Sequence, residues 1–302
     1  MSVIVKTVVA TGASSGLGFE AIRQLLQQPQ PYKFILGARD VKTTQAAYDD
    51  LKVDDGKHTI SLLPLDLADL RNVKSFAQQT LEKLGQDKLD VLFLNAAMGK
   101  AANEPGPHGS KWCEAQIVNH LSQHYLIHLL REKLTTSQSR IVVVSSGAIR
   151  NLRDNDPKTL DTDLIANSGT DGAVIYSATK FTQLLGAHYW RRQLSGSATV
   201  VAVSPGMIPG TGLGRHFSQK IPANVPDAKS VEEGAQSLLR AFTRDDLPSD
   251  PEQIFLTSWG EWWPKDVYTP SLDKPLQDKW CPSQEDIEKD AGIAPWRRLN
   301  LQ

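Results

Sequence analysis

The chain is expected to form an α/β fold, a doubly wound, parallel, seven-stranded sheet with helices on both faces and a C-terminal extension. Three observations lead there. Short Val-, Ile-, Leu- and Phe-rich runs alternate with longer amphipathic ones along most of the chain. The short runs lack polar–apolar alternation, as strands buried on both faces do. A glycine-rich turn follows the first run and opens the first helical pattern. Such repeated strand–helix alternation gives a parallel sheet with right-handed crossovers and a ligand crevice at the carboxyl ends of the strands.

The first strand-like run, residues 3–9, leads through Thr11-Gly12-Ala13-Ser14-Ser15-Gly16-Leu17-Gly18 into a helical pattern at 16–28. The second, 33–38, ends at Gly37-Ala38-Arg39-Asp40, before helical spacing at 41–51. The third, 59–65, reaches Asp66-Leu67 and is followed by helical spacing at 70–84. The fourth, 91–94, passes into Asn95-Ala96-Ala97, and a long helical stretch covers 111–133. After the fifth, 141–145, comes an irregular segment rich in Asp, Asn, Gly and Pro, and then helical spacing at 173–194. Runs at 199–204 and 253–257 enclose the last helical pattern, 230–243.

The chain thus reads as one domain over residues 1–302, with a core at 3–257 and an extension at 258–302. The extension holds Trp259, Trp262, Trp263, Trp280 and Trp296, five of seven tryptophans. Two readings stay open for it. The indoles pack the extension onto the body, or they wall an apolar substrate together with Met98, Trp112, residues 146–150 and residues 207–213.

Composition narrows the function classes. Of 302 residues, 40% are apolar and 22% charged, which suffices for one extended core. A formal charge of −1 gives no reason to expect nucleic acid or an anionic membrane as partner. Cys113 and Cys281 lie far apart without a CxxC pair, which fits a reducing, cytoplasmic location better than a disulfide framework, with a single disulfide between them as the alternative. No cationic, apolar leader opens the sequence, and no stretch nears 18 uninterrupted apolar residues, so neither a signal peptide nor a transmembrane helix is expected.

In the glycine turn, Gly12 allows a sharp reversal, Gly16 a close approach to an anion, and Gly18 tight packing of helix on sheet. Amides at the helix start, among them those of Ser14, Ser15 and Leu17, suit a pyrophosphate. A Walker loop would end Gly-Lys-Ser/Thr, whereas this turn ends Leu17-Gly18. Gly12-Ala13-Ser14-Ser15-Gly16 also matches the G-x-S-x-G elbow of hydrolases. That motif needs an oxyanion amide from an earlier strand, and none precedes it.

The end of the second strand selects the dinucleotide. An acidic residue there binds the ribose hydroxyls of NAD, and an arginine pairs with the 2′-phosphate of NADP. Ala38 leaves room and Arg39 is placed as phosphate ligand, so NADP(H) is the expected cofactor. Asp40 would repel that phosphate if turned inward, but it also suits the N-cap of the next helix.

Tyr176 and Lys180, in Tyr176-Ser177-Ala178-Thr179-Lys180, share one helical face roughly 6 Å apart along the axis. A phenol titrates near 10, too high for acid–base work at neutral pH. An ammonium a few ångströms away, at an effective dielectric near 20, favours phenolate by roughly 3 kcal/mol, about two pKa units. The pair is therefore expected to bring the phenol toward neutrality.

With Asp66-Leu67, Leu94-Asn95-Ala96-Ala97, Asn119, Ser145-Ser146 and Pro205-Gly206 in the same order, the chain resembles the short-chain dehydrogenase/reductase family from Val3 to Thr257. The long Ser-to-Tyr interval and Asn119-His120-Leu121 look most like its retinol-dehydrogenase and protochlorophyllide-reductase-like branch. The resemblance implies a Rossmann sheet and an oxidoreductase interconverting a carbonyl and an alcohol. It implies Tyr176 as proton donor or acceptor and Lys180 as the group that lowers its pKa and bonds the nicotinamide ribose. Ser146 would hydrogen-bond the substrate oxygen, and Asn119 would hold a water path to Lys180. Asp66 and Leu67 would flank adenine, and Asn95, Ala96 and Ala97 would back the cleft. Pro205, Gly206 and Ile208 would contact the cofactor, with Thr211 serving where the family's usual threonine position holds Gly210. Pairing of related proteins through the 111–133 and 173–194 helices implies a possible homodimer, unless the extension covers that surface. Ala97, where the family usually has glycine, adds a methyl beside the cofactor.

Two rival functions keep the fold: a non-redox dehydratase or cyclase, and a dinucleotide-sensing binding protein that would not need Tyr176, Lys180 and Ser146. The His120, His124 and His128 stripe is not read as a metal site, because His120 to His128 spans roughly 12 Å of helix axis.

Overall fold

The computed structural model describes residues 4–52, 56–213 and 228–296. Its sheet contains β1 (Lys6–Thr11), β2 (Tyr32–Ala38), β3 (Thr59–Pro64), β4 (Val91–Leu94), β5 (Arg140–Val144), β6 (Thr199–Val203) and β7 (Phe255–Leu256). All pairings are parallel, in the order β3-β2-β1-β4-β5-β6-β7. Winding reverses between β1 and β4, and that switch point is where a crevice opens at the strand ends.

The helices are α1 (Gly16–Leu26), α2 (Val41–Asp49), α3 (Leu70–Leu84), α4 (Glu114–Gln116), α5 (Ser122–Thr136), α6 (Leu160–Asp163), α7 (Gly172–Gln193), α8 (Val231–Thr243), α9 (Lys274–Trp280) and α10 (Gln284–Asp290). Strand side chains alternate faces. Val8, Phe34 and Phe93 therefore pack with Ile22 of α1 and Leu238 of α8, while Val9, Ile35 and Leu92 pack with Phe76 of α3, Leu126 of α5 and Leu184 of α7. Those two cores are the physical basis of the double winding.

Differences from expectation are local. β1 starts at Lys6, with Ile4 and Val5 exposed, and Val3 lies outside the described residues. β7 keeps only two residues. The expected helix at 111–133 is interrupted: α4 passes through a π-helical turn, Ile117–Leu121, into α5. The irregular stretch after β5 is made of short 3₁₀ turns and α6.

The extension carries α9 and α10 and packs on α7 and α5. Tyr125 of α5 donates to Glu288 of α10 at 2.8 Å, and Arg192 of α7 donates to Gln277 of α9 at 2.8 Å. Burial consequently runs most of the way around α7, from Ile175 through Trp190. Among the described residues no helix is long and apolar enough to cross a membrane.

Candidate active site

The turn after β1 is built as its glycines require. Gly12 has φ +66°, and a Cβ there would stand 2.6 Å from the Ala96 backbone. At Gly18 a Cβ would fall 2.2 Å from the Gly12 carbonyl, so the helix sits flush on the turn. Gly16, φ +56°, would meet nothing within 4 Å, so the backbone there faces open space. Thr11 Oγ1 accepts from the Asn95 and Ala96 amides at 3.2 Å each, and Asn95 Nδ2 donates to the Gly12 carbonyl at 2.8 Å. Tyr48 of α2 donates to the Ala13 carbonyl at 2.7 Å. Ser15, the N-cap of α1, makes no side-chain cap bond, which leaves the first-turn amides to a ligand or solvent.

One cleft runs along the strand ends. Of the residues expected at a cofactor, Gly12, Ser14, Ser15, Gly16, Leu17, Arg39, Asp66, Leu67, Asn95, Ala96, Ala97, Tyr176, Lys180, Pro205 and Thr211 line it. Gly18, Gly206 and Ile208 do not. Gly18 packs as described, Gly206 (φ +94°) turns the chain beside Ser258, and Ile208 is buried against Gly234. Asp40 faces its own helix, accepting from the Thr43 amide at 2.9 Å and from its hydroxyl at 2.5 Å. Met98, Gly99, Glu114, Val118, Gly212 and Leu213 also line the cleft. No helical or strand periodicity marks a loop residue such as Met98 or Gly212 as cleft-lining.

No described residue of the extension lines this cleft. Trp263 stacks on Phe255 with centroids 5.5 Å apart, and Trp280 lies 5.3 Å from Trp112. Among the described residues, Trp263 and Trp280 thus pack on the body beside residues 146–150 and Trp112.

Helix α7 starts at Asp171, whose carboxylate accepts from the Ala173 amide at 2.8 Å, and this cap fixes the first turns that carry Tyr176. Tyr176 is partly exposed along the cleft and hydrogen-bonds Ser146. Lys180 is 1% exposed, and its Nζ lies 5.8 Å from the Tyr176 ring centroid. That Nζ donates to the Val144 carbonyl at 2.6 Å and to Gln183 Oε1 at 2.9 Å. Ser145, by contrast, donates to the Lys180 backbone carbonyl at 3.0 Å and serves the packing of β5 on α7.

The phenol is not acidified as the Tyr176–Lys180 spacing led one to expect. Desolvation pushes the Tyr176 phenol up to about 12, opposed by the Ser146 hydrogen bond. Desolvation likewise pulls Lys180 down to about 7. Burial acts on both partners at once, so the ammonium that was to acidify the phenol is itself driven toward neutrality.

Asn119 is 0% exposed in the π-helical turn. Its side chain accepts from the Met98 amide and donates to the Met98 carbonyl, both at 2.8 Å, and donates to Thr179 Oγ1 at 2.9 Å. Its backbone carbonyl accepts from Gln123 Nε2 at 2.9 Å, and Gln123 Oε1 accepts from Thr11 at 3.1 Å. Asn119 therefore ties the loop after β4 to α7. Gln123 and Gln183, two polar contributors absent from the sequence reading, have no motif of their own and are recognised only by what they touch. Among the described residues no three potential ligands cluster to hold a metal ion.

A glycine turn at the sheet's switch point, facing a tyrosine and a buried lysine, defines a nicotinamide-dependent oxidoreductase acting on alcohol and carbonyl groups. The chain belongs to the short-chain dehydrogenase/reductase family. A short-chain dehydrogenase/reductase of Pestalotiopsis microspora is 68% identical over 94% of this chain and 98% of that protein. The short chain dehydrogenase family model matches residues 6–155. Retinol dehydrogenase 13 of Homo sapiens is 33% identical over 70% of this chain and 61% of its own length, in line with the retinol-dehydrogenase-like branch. The fold is shared with an NADPH-bound carbonyl reductase from chicken fatty liver at 19% identity, TM-score 0.66, over 86% of this chain and 98% of that one.

Proposed function

We propose that the protein is an NADPH-dependent reductase that interconverts a carbonyl and an alcohol on a small to medium-sized, fairly apolar substrate, with Tyr176 as proton donor. The observation that carries this reading is Tyr176, hydrogen-bonded to Ser146 and one helical turn from Lys180, on the wall of the cleft that starts at the glycine turn. The residues present fit a dinucleotide. Gly12 and Gly18 leave no room for a Cβ, while Gly16 opens outward. Arg39 lines the cleft with Asp40 turned away into its N-cap, which favours a 2′-phosphate over bare ribose hydroxyls. The NADPH-bound carbonyl reductase of the same fold supports the same choice.

When bound, NADPH supplies a hydride to the carbonyl carbon. A phenol near 12 keeps its proton at neutral pH and holds it ready for the oxygen that becomes the alcohol. Ser146 hydrogen-bonds that phenol and supplies a donor for the same oxygen. Lys180 places a positive charge beside the phenol as its proton departs. Met98, Val118 and Leu213 give the cleft an apolar side that suits an apolar substrate. Two free, buried thiols fit a reducing cytoplasm.

The test follows reduced-nicotinamide absorbance while purified protein meets a panel of aldehydes, ketones and quinones. Wild type is expected to consume NADPH, and Tyr176→Phe to lose at least about 100-fold in rate. Full turnover by Tyr176→Phe, or substrate transformation without NADPH consumption, overturns the reading.

A further inference from the structure

We propose that Gln183 is a positioning residue whose side-chain carbonyl, together with the Val144 backbone carbonyl, holds the Lys180 ammonium charged beside Tyr176. The inference rests on the reading of Tyr176 and Lys180 given above. Gln183 follows Lys180 by three residues on α7, so the two share a face. It is 4% exposed, and its Oε1 lies 2.9 Å from Lys180 Nζ, while the Val144 carbonyl lies 2.6 Å from the same atom.

The second observation is the other end of the amide. Gln183 Nε2 is buried without a hydrogen-bond partner. An orphaned buried donor is costly, so a glutamine with nothing to hold would turn or be replaced. Turning this amide would aim two N–H donors at an ammonium. The charge on Nζ therefore sets the amide's orientation, and the orphan nitrogen is its consequence.

Among the described residues no carboxylate touches Lys180 Nζ. The titratable group facing Lys180 from its own helix is Tyr176. β5 presents the Val144 carbonyl to Nζ and the Ser145 hydroxyl to the Lys180 backbone carbonyl, and neither titrates. The charged side chains elsewhere along the cleft are Arg39, Asp66 and Glu114. Asn119 is engaged by Met98, Thr179 and Gln123, and among the described residues it is the Gln183 side chain that accepts from Nζ. Burial drives Lys180 toward neutrality, and carbonyl dipoles that bond the ammonium more strongly than the neutral amine oppose it.

The experiment titrates Lys180 directly in the full chain labelled with carbon-13 lysine, its resonance assigned with Lys180→Arg. Gln183→Met keeps length and burial but removes the acceptor, and is expected to lower the Lys180 proton affinity about tenfold, one pH unit. Gln183→Glu, which puts a carboxylate on Nζ, is expected to raise it and carries the test if the methionine variant does not fold. The pH profile of NADPH turnover should move in both variants, while NADPH affinity stays within about threefold. Lys180 titrating as in wild type in both variants overturns the proposal. A moved titration in a protein that consumes no NADPH leaves Gln183 as the clamp and rejects the redox reading instead.

Discussion

The indole N–H of Trp190 donates to Nδ1 of His124 at 2.8 Å, which leaves the His124 Nε2–H to donate to the Pro282 carbonyl at 2.8 Å. His128 Nε2 sits 3.2 Å from that same carbonyl, and His120 Nε2 lies 2.7 Å from the Trp280 carbonyl. Three successive imidazoles on one helical face thus hold the extension at Trp280–Pro282. Desolvation brings His120 and His128 down to about 4 and His124 well below its ordinary value.

This clasp makes the fold acid-sensitive. The unfolded chain binds protons at these histidines as pH falls through about 6.5, whereas in the folded chain His120 and His128 do not until about 4, and His124 stays neutral well below its ordinary value. Stability is therefore full above about pH 6.5 and is lost as pH falls toward 4, by up to about 1.4 kcal/mol per unit for each histidine. Calorimetry at pH 7 and pH 5 should show a clear drop in Tm, with the extension cut first in limited proteolysis. An unchanged Tm would remove the neutral-histidine account.

Trp280 is 4% exposed and packs against Trp112. Trp280→Ala should cost about 3–5 kcal/mol, the range for a buried tryptophan. Because α9 and α10 cover faces of α7 and α5 within one chain, sedimentation should report a monomer. A stable dimer that persists at high dilution would mean that other surfaces pair.

Arg39→Ala tests the cofactor choice. Charge-assisted hydrogen bonds contribute about 1.5–3 kcal/mol, so NADPH affinity should fall by about 10- to 150-fold. NADH affinity should change little. Equal loss for both dinucleotides, measured by calorimetric titration, would mean that Arg39 does not read the 2′-phosphate.

Gly12→Ala must fit a Cβ 2.6 Å from the Ala96 backbone at φ +66°. The turn then either shifts, with dinucleotide binding lost by at least about tenfold, or strains the fold by about 1–3 kcal/mol. A variant with wild-type Tm and wild-type NADPH affinity would contradict the cradle.

The layout was legible wherever the signal is local. The Val/Ile/Leu runs, the Leu70–Leu84 helix and the glycine turn come from side-chain period and backbone preference over a few neighbours. Tyr176 and Lys180 share a face for the same reason. Less legible was the break at Ile117–Leu121, because the buried Asn119 that pairs with Met98 draws its partner from 21 residues away.

The amino-acid sequence by itself determined the order of strands and helices, the turn at the sheet's switch point and the shared helical face of Tyr176 and Lys180. Tertiary structure alone decided that Asp40 faces its own helix and that Trp280 packs on Trp112 away from the cleft. It also decided that burial, and not the neighbouring ammonium, governs the Tyr176 phenol. Those outcomes depend on desolvation and on partners distant in the chain, quantities that no local pattern encodes.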